Sequence, residues 1–389
     1  MAAPRIAYLT DEELPNGDAS AIQIVHTLSA LARLGATVKM YFPVRPSASR
    51  DPEWWRNTLR AHFGAEVGFD LCPLPTRFGP RLWIKTAESM AATALLLRDD
   101  CDVVYTRNLL PIVPSLAAGR DVVFETYRPL TRQFPASAPL FNGVARSSHF
   151  LGIVTHSKFT RDAFIASGLP AQKVEAIYNG FDAQAFSQPL TPQAARLSLG
   201  LPERKTVVYT GRIAAVKNSD LLLDAAAAVP EAQWLIAGAH DTEEARAYAE
   251  RARDMPHVRL LGYVSGEQLT QTLAAADVLV LPPSLDPLER FGTTVLPIKL
   301  FTYLAAGRAI VAGNLPDARE LLAHEENALL VPPDELLPFV GAIRRALSDA
   351  ALAATLGAAC RLTAEDLTWD ARARRLMAFI EGRRTARPL

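Results

Sequence analysis

The segment Thr206–Arg212 (TVVYTGR) and the four residues Lys217–Asp220 (KNSD) decide the fold of this chain. The run of branched and aromatic residues predicts a buried strand, and Gly211 allows the backbone to turn tightly where that strand ends. Arg212 and Lys217 place a positive charge on each side of the turn, which suits a diphosphate. The segment therefore predicts an anion site at the end of a strand, with two solvated charges on a surface loop as the alternative.

A helix is predicted immediately after this turn, since Asn218 or Ser219 is placed to cap it and a capped helix start favours an anion. Short apolar runs alternate with helix-period segments along the whole chain, which is the pattern of parallel α/β folds. Strands are predicted at Arg5–Leu9, Thr37–Phe42, Asp102–Tyr105, Asp121–Phe124, Gly152–Thr155, Val174–Ile177, Thr206–Thr210, Gln233–Ala237, Val258–Leu261, Val278–Leu281 and Ala309–Ala312. Helices are predicted between them, the clearest at Ala21–Leu34, Ser219–Ala228, Thr242–Arg253, Gly266–Ala275 and Asp334–Ser348.

The α/β pattern runs twice, and 389 residues exceed what one hydrophobic core usually supports, so two domains are predicted. A polar connection with three prolines, Asp182–Lys205, separates them. We place one Rossmann-like domain at 1–186, a second at 187–366, and a final amphipathic helix within 367–389. Two doubly wound domains are expected to face a central cleft with the carboxyl ends of their strands, where ligands bind.

The composition is that of a globular protein without a dominant charge: 49% hydrophobic and 21% charged, with 41 basic and 41 acidic residues. No global field attracts nucleic acid, so a nucleic-acid partner is not expected. Cys72, Cys101 and Cys360 are too widely spaced for a disulfide framework or a zinc site. Because the sequence shows neither a signal-peptide core nor an apolar segment of about 20 residues, we expect a cytoplasmic protein.

The order of motifs resembles that of the family 4 retaining glycosyltransferases, which have the GT-B fold. The resembling segments are Val154–Lys158 (VTHSK), Ile177–Asp182 (IYNGFD), Gly211–Lys217, Leu235–Gly238 (LIAG), Gly262–Val264 (GYV), Ala276–Ser284 (ADVLVLPPS), Phe291–Gly307 and Trp369-Asp370. The ordered set, unlike each segment alone, is specific. The resemblance implies an acceptor domain, then a donor domain for a nucleotide-diphosphate sugar, then a last helix that crosses back to the first domain.

The resemblance also implies the residues of the donor site. Arg212 and Lys217 are expected to hold the diphosphate, so that neither a metal ion nor another cofactor is required. The short acidic string Asp100–Asp102 is accordingly interpreted as a solvated turn and not as a metal site. The phosphates, base and sugar of the donor are expected to contact the following residues: Gly17, Gly211, Gly238, Val264, Gly292, Thr293, Thr294 and Lys299.

This chain departs from the family at two acidic positions. The family carries two glutamates eight residues apart, and the corresponding residues here are Thr294 and Thr302. We expect the Thr302 hydroxyl to replace the second glutamate at the ribose. Glu289 is expected to replace the first at the donor sugar, with Asp286 as the other candidate and an exposed surface charge as the alternative interpretation of Glu289.

The first domain is expected to hold the acceptor, a carbohydrate, a lipid-linked molecule or a small molecule. Asp18, Arg107, Tyr127 and His156 each follow a predicted strand, so all four are assigned to the acceptor side. Tyr127 stands where relatives often have histidine. The alternative for His156 is a hydrogen-bonded structural histidine.

Tryptophans and basic residues are concentrated between residues 51 and 85. This composition fits peripheral contact with the inner membrane face or with a lipid-linked acceptor. It equally fits helices that pack on the domain and leave their arginines in water.

The reaction implied by the resemblance needs no protein nucleophile. For retention, the leaving phosphate takes the acceptor proton, and the enzyme stabilises charge and positions the acceptor. Two alternatives remain open on the sequence: a sugar-nucleotide epimerase of the same fold, and a binding protein that keeps the fold without activity.

Overall fold

The computed structural model describes residues 3–76, 82–188, 190–214, 218–238, 242–282, 284–292 and 295–385. The chain forms two compact units. Unit 1 contains the residues up to Asn179 together with those from Trp369 onward, and unit 2 is the continuous segment Gly180–Thr368. Within the described residues no helix is both long enough and apolar enough to cross a membrane.

Strands and helices alternate through the chain. Up to residue 179 the strands are β1 Arg5–Leu9, β2 Thr37–Val44, β3 Asp70–Pro75, β4 Val103–Thr106, β5 Asp121–Thr126, β6 Phe150–Thr155 and β7 Val174–Ala176. The helices of this part are α1 Ala19–Arg33, α2 Pro52–Phe63, α3 Leu82–Leu96, α4 Ile112–Ala117, α5 Leu130–Gln133, α6 Ala138–Val144 and α7 Lys158–Ala166.

The same alternation continues after residue 180. The strands are β8 Thr206–Thr210, β9 Gln233–Ala237, β10 Val258–Gly262, β11 Val278–Leu281, β12 Ala309–Gly313 and β13 Leu329–Val331. The helices are α8 Pro192–Ser198, α9 Ser219–Ala228, α10 Glu243–Ala252, α11 Gly266–Ala274, α12 Asp286–Phe291, α13 Lys299–Ala306, α14 Leu336–Ser348, α15 Ala350–Ala364 and α16 Trp369–Thr385.

Each unit is built on one parallel sheet. The strand order is β3-β2-β1-β4-β5-β6-β7 in unit 1 and β10-β9-β8-β11-β12-β13 in unit 2. The order therefore reverses between β1 and β4 in the first sheet and between β8 and β11 in the second. Ligands of open α/β sheets bind beyond the carboxyl ends of the strands at such reversal points. The segment Thr206–Arg212 lies at the reversal point of unit 2.

Burial explains why these segments become strands. The central strands β4, β5 and β6 are buried along their whole length, as apolar runs in parallel sheets are. The largest buried side chain of unit 2 is Trp234 on β9, which lies in the apolar cluster between that sheet and helices α9 and α14. The last helix, α16, packs on α1 in unit 1, where Trp369 stacks on His26 with ring centroids 5.3 Å apart.

Candidate active site

The turn after β8 requires glycine at two places. Gly211 has φ 137° and Gly238, at the end of the neighbouring strand β9, has φ 102°, a region that other residues rarely adopt. A Cβ on residue 238 would lie 2.6 Å from the carbonyl oxygen of Gly211. The two strand ends therefore approach each other so closely that only backbone fits between them.

Lys299 brings a positive charge to this edge. It is the first residue of α13, and its ammonium nitrogen lies 4.0 Å from the centre of the Tyr209 ring. A Cβ on Gly211 would lie 2.7 Å from Lys299 Cε, so the lysine occupies the space that a side chain at 211 would need. The Tyr209 hydroxyl donates to the carbonyl of Arg212 over 3.1 Å, which fixes the turn below the charge.

Helix α13 is tied to β8 by a second tyrosine. The backbone N–H of Thr210 donates to the Tyr303 hydroxyl over 2.8 Å. Burial raises the pKa of Tyr303 to about 12, so this phenol stays neutral in the physiological range. The hydrogen bond ties the middle of α13, a helix that begins at Lys299, to the carboxyl end of β8.

The capping prediction for α9 is wrong. Asn218 stands at the N-cap position with φ 52°, and its side chain makes no capping hydrogen bond. Its amide donates instead to Asp334 over 2.8 Å. The Ser219 hydroxyl is turned back to the loop, where it bonds both the N–H and the carbonyl of Ala214 at 3.0 Å. Asn218 thus binds Asp334 and Ser219 binds Ala214, and neither side chain caps the helix.

The other predicted donor residues lie on unit 2 as follows. Val264 is buried just before α11, and Glu289 is exposed on α12. Gly292 ends α12 with φ 61°. The Thr302 hydroxyl donates to the carbonyl of Lys299 over 2.8 Å, so its proton is engaged within α13. Lys217, Thr293 and Thr294 lie outside the described residues.

In unit 1 the structure brings three of the predicted acceptor residues together. Arg107 follows β4, Tyr127 follows β5 and His156 follows β6, so all three lie at the carboxyl edge of the sheet. The Arg107 guanidinium lies 5.4 Å from the Tyr127 ring centre, and the Tyr127 and His156 rings are 6.4 Å apart. Asp18 and Gly17 lie at the start of α1, and the Asp18 side chain makes no capping hydrogen bond.

A buried carboxylate, Glu125 on β5, organises this edge. It receives hydrogen bonds from Arg372 of α16, from His156 Nε2 at 2.9 Å and from Gln23 Nε2 at 3.0 Å. Burial alone would raise the pKa of the Glu125 carboxyl. The guanidinium of Arg372 and the hydrogen bond from His156 together hold that pKa well below its usual range, so Glu125 is ionised.

Sequence reasoning did not find the role of Arg372. This side chain is 1% exposed, and it also donates to Thr27 at 3.0 Å and to the carbonyls of Ile177 and Tyr178 at 2.6 and 2.9 Å. The periodicity of α16 gives no signal for it, because an arginine in an Arg-rich helix is expected in water. A partner is visible only when β5 and α16 are seen side by side.

Two further segments have structural roles in unit 1. Asp100 and Asp102 both pair with Arg5 near the amino end of β4, away from the carboxyl edge. Trp55 is buried and donates from its indole nitrogen to the Ser49 carbonyl over 2.8 Å, whereas its neighbour Trp54 is 48% exposed. Residues 77–81 of the aromatic and basic segment lie outside the described part of the chain.

Comparison with known proteins agrees with this architecture. Residues 204–349 match the family described as glycosyl transferases group 1, and residues 20–185 match glycosyltransferase family 4. The chain is 30% identical to the phosphatidyl-myo-inositol mannosyltransferase of Mycolicibacterium smegmatis over 288 residues, 70% of this chain and 67% of that protein. It is also 30% identical, over 231 residues, to the D-inositol 3-phosphate glycosyltransferase of Jonesia denitrificans. That match spans 55% of this chain and about half, 53%, of the relative.

Among solved structures, Anabaena HepE in complex with UDP-glucose superposes with a TM-score of 0.73 over 97% of this chain and 100% of that one, at 17% identity. The two parallel α/β units and this superposition show the GT-B fold. The chain belongs to the family 4 glycosyltransferases, and it is an enzyme that transfers a glycosyl group.

Proposed function

We propose that this enzyme transfers a hexosyl group from a UDP- or GDP-linked sugar to an acceptor hydroxyl, with retention of configuration and without a metal ion. The observation that carries the proposal is the ammonium of Lys299 held against Gly211 at the reversal point of the unit 2 sheet. A fixed cation beside the backbone at the carboxyl end of a strand suits a diphosphate. Arg212 and Lys217 join Lys299 on the phosphates, and Glu289 contacts the sugar.

In the proposed reaction the bond between the anomeric carbon and the leaving phosphate oxygen breaks while the acceptor oxygen bonds to that carbon. The hydroxyl proton passes to the leaving diphosphate, so no protein nucleophile or redox partner is needed. The cations stabilise the charge that develops on the diphosphate, which replaces the role of a metal ion. A solved structure of the same fold is in complex with UDP-glucose, and a Mycobacterium tuberculosis relative is named as GDP-mannose-dependent, so we propose both kinds of sugar nucleotide as candidate donors.

The acceptor is proposed to bind unit 1 at Arg107, Tyr127 and His156. Relatives named for D-inositol 3-phosphate and for phosphatidyl-myo-inositol make these two compounds the first acceptors to try. The guanidinium of Arg107, stacked on Tyr127, fits the phosphate that both compounds carry. We further propose that the enzyme acts at the inner membrane face, with the exposed Trp54 in contact with lipid. This location would suit a lipid acceptor.

Donor binding is tested by thermal unfolding with UDP, GDP, UDP-glucose and GDP-mannose in the presence of EDTA. A nucleotide at 100 times its Kd should stabilise the protein by roughly 2.7 kcal/mol. Lys299→Met keeps the apolar stem of the side chain but removes its charge, and it should reduce the shift, as should Arg212→Ala. Arg253→Ala, at an exposed arginine paired with Glu250 on α10, is the matched control and should leave the shift unchanged.

Transfer is then measured with the stabilising donor and the two inositol acceptors, and the anomeric configuration of the product is read by NMR. The absence of a shift with every sugar nucleotide would refute the proposal, as would a full shift in Lys299→Met. An inverted product would refute retention alone, and a requirement for Mg²⁺ would refute only the metal-independent reaction.

A further inference from the structure

Strand β5 carries the same kind of polar cluster at each end. At its carboxyl end, Glu125 bonds His156 and Arg372. At its amino end, Asp121 lies 2.9 Å from His149 Nδ1 and accepts from Arg384 Nε over 3.1 Å. Both arginines belong to α16. Only the cluster at the carboxyl end lies at the edge of the sheet where α/β proteins bind ligands, so only that cluster can meet a substrate.

The partner of His156 determines which ring nitrogen carries the proton. An ionised carboxylate only accepts hydrogen bonds, so the Nε2 atom of His156 must donate to Glu125. In a neutral imidazole the other nitrogen then has a free lone pair. Burial lowers the pKa of His156 to about 4, so the ring is neutral at physiological pH. His156 therefore holds Nδ1 as a hydrogen-bond acceptor.

The His156 ring is nearly buried but not sealed. Its side chain retains 8% exposure. The neighbouring Tyr127 is 36% exposed and carries the Arg107 guanidinium on its ring. A molecule that contacts Arg107 and Tyr127 at this edge thus lies next to the imidazole.

We propose that Nδ1 of His156 accepts a hydrogen bond from a hydroxyl of the acceptor, and that Glu125 is the positioning residue that sets its tautomer, with Arg372 holding Glu125 in place. This inference rests on the proposed function, since it assigns an orienting group to the acceptor of that reaction. A ring so weakly basic orients the hydroxyl and does not take its proton, because an effective general base needs a pKa near the working pH. The proton still leaves with the diphosphate.

The first experiment reads the tautomer directly in the full chain, labelled with ¹⁵N-histidine, by NMR between pH 6 and 8. His156→Gln assigns the resonance. We expect an Nε2-protonated, neutral ring that does not titrate in this range. An Nδ1-protonated ring, or one that becomes charged above pH 6, would overturn the inference. Glu125→Gln should abolish the preference for one tautomer; if that variant does not fold, the native spectrum still decides.

The second experiment is steady-state transfer to D-inositol 3-phosphate. His156→Gln can keep a donor toward Glu125 but has no nitrogen at the Nδ1 position. Loss of one hydrogen bond should raise the acceptor KM or lower kcat roughly tenfold while the donor KM stays unchanged. His149→Gln, at the matching cluster on the other end of β5, should leave both constants at the native values.

Equal kinetics for His156→Gln and the native enzyme would overturn the role of Nδ1. If the native enzyme transfers to neither inositol compound, the acceptor part of the proposed function fails, and that result is distinct. The tautomer spectrum needs no acceptor, and an Nδ1-protonated ring there would still overturn the inference.

Discussion

The ammonium of Lys299 lies where a side chain on residue 211 would have to go. Gly211→Ala therefore has two separable effects. The backbone must leave φ 137°, which costs about 1–3 kcal/mol. The new methyl group must also displace the end of the Lys299 side chain, since 2.7 Å to Cε is too short for two carbon atoms.

We expect Gly211→Ala to fold with a lower Tm and to bind the donor nucleotide more weakly. The double variant Gly211→Ala with Lys299→Met should bind the nucleotide no more weakly than the single variant with the lower affinity. Both changes take the ammonium of Lys299 away from the same place, so their effects on binding are not additive. Isothermal titration of the four proteins with the stabilising nucleotide gives the comparison. Additive losses of binding free energy would show that Gly211 acts separately from Lys299.

The pair of His156 and Glu125 makes unit 1 sensitive to acid. In the unfolded chain the histidine takes up a proton as the pH falls below its ordinary pKa of 6.5, whereas in the fold it stays neutral down to about 4. The unfolded state therefore binds more protons in this window, and stability falls with the pH by on the order of 3 kcal/mol. Glu125 reduces the free energy of unfolding further only below its ordinary pKa of 4.5, because its pKa in the fold is lower still.

Thermal unfolding followed by circular dichroism from pH 7.5 to 4.5 should show this loss in the native protein. His156→Gln should flatten the fall above pH 5, since the glutamine cannot take a proton. His149→Gln should retain the fall. A native Tm that does not change between pH 7 and 5 would contradict the burial of a neutral imidazole.

At the scale of elements, the central strands are the part that the sequence predicts well, because buried parallel strands are continuous apolar runs. Two edge strands were not predicted. β3 contains Pro73 and Pro75, which a sheet tolerates only at its edge, and β13 is three residues long. Helix α15 was also not predicted, since its alanine-rich sequence shows little amphipathic pattern.

The candidate site divides in the same way. Glycines and charges that follow a strand could be placed from the sequence, because all parallel strands end at one edge of the sheet. Lys299 was assigned to the donor side through the resemblance. Its contact with the Tyr209 ring, however, depends on how α13 packs on β8. Arg372 could not be found, because its partner Glu125 is 247 residues away in the chain and the pairing depends on where α16 docks.

At the scale of the whole molecule, the two units differ in how the chain builds them. Unit 2 is one continuous segment, 180–368, with its own sheet and core. Unit 1 is completed only by residues from the end of the chain, which supply Arg372 to a carboxylate that is 0% exposed. Removal of one partner from a buried ion pair costs roughly 3–5 kcal/mol, a large part of a domain's stability.

We therefore expect the fragment 180–368 to fold alone, with a cooperative thermal transition and with the nucleotide-induced shift of the full chain. The fragment 1–179 should be unstable, because it leaves Glu125 without Arg372 and His26 without Trp369. A peptide of residues 369–385 added in trans should restore its transition, and the same peptide with Arg372→Leu should not. A fragment 1–179 as stable as unit 1 in the full chain would show that α16 is dispensable and that Glu125 finds its compensation elsewhere.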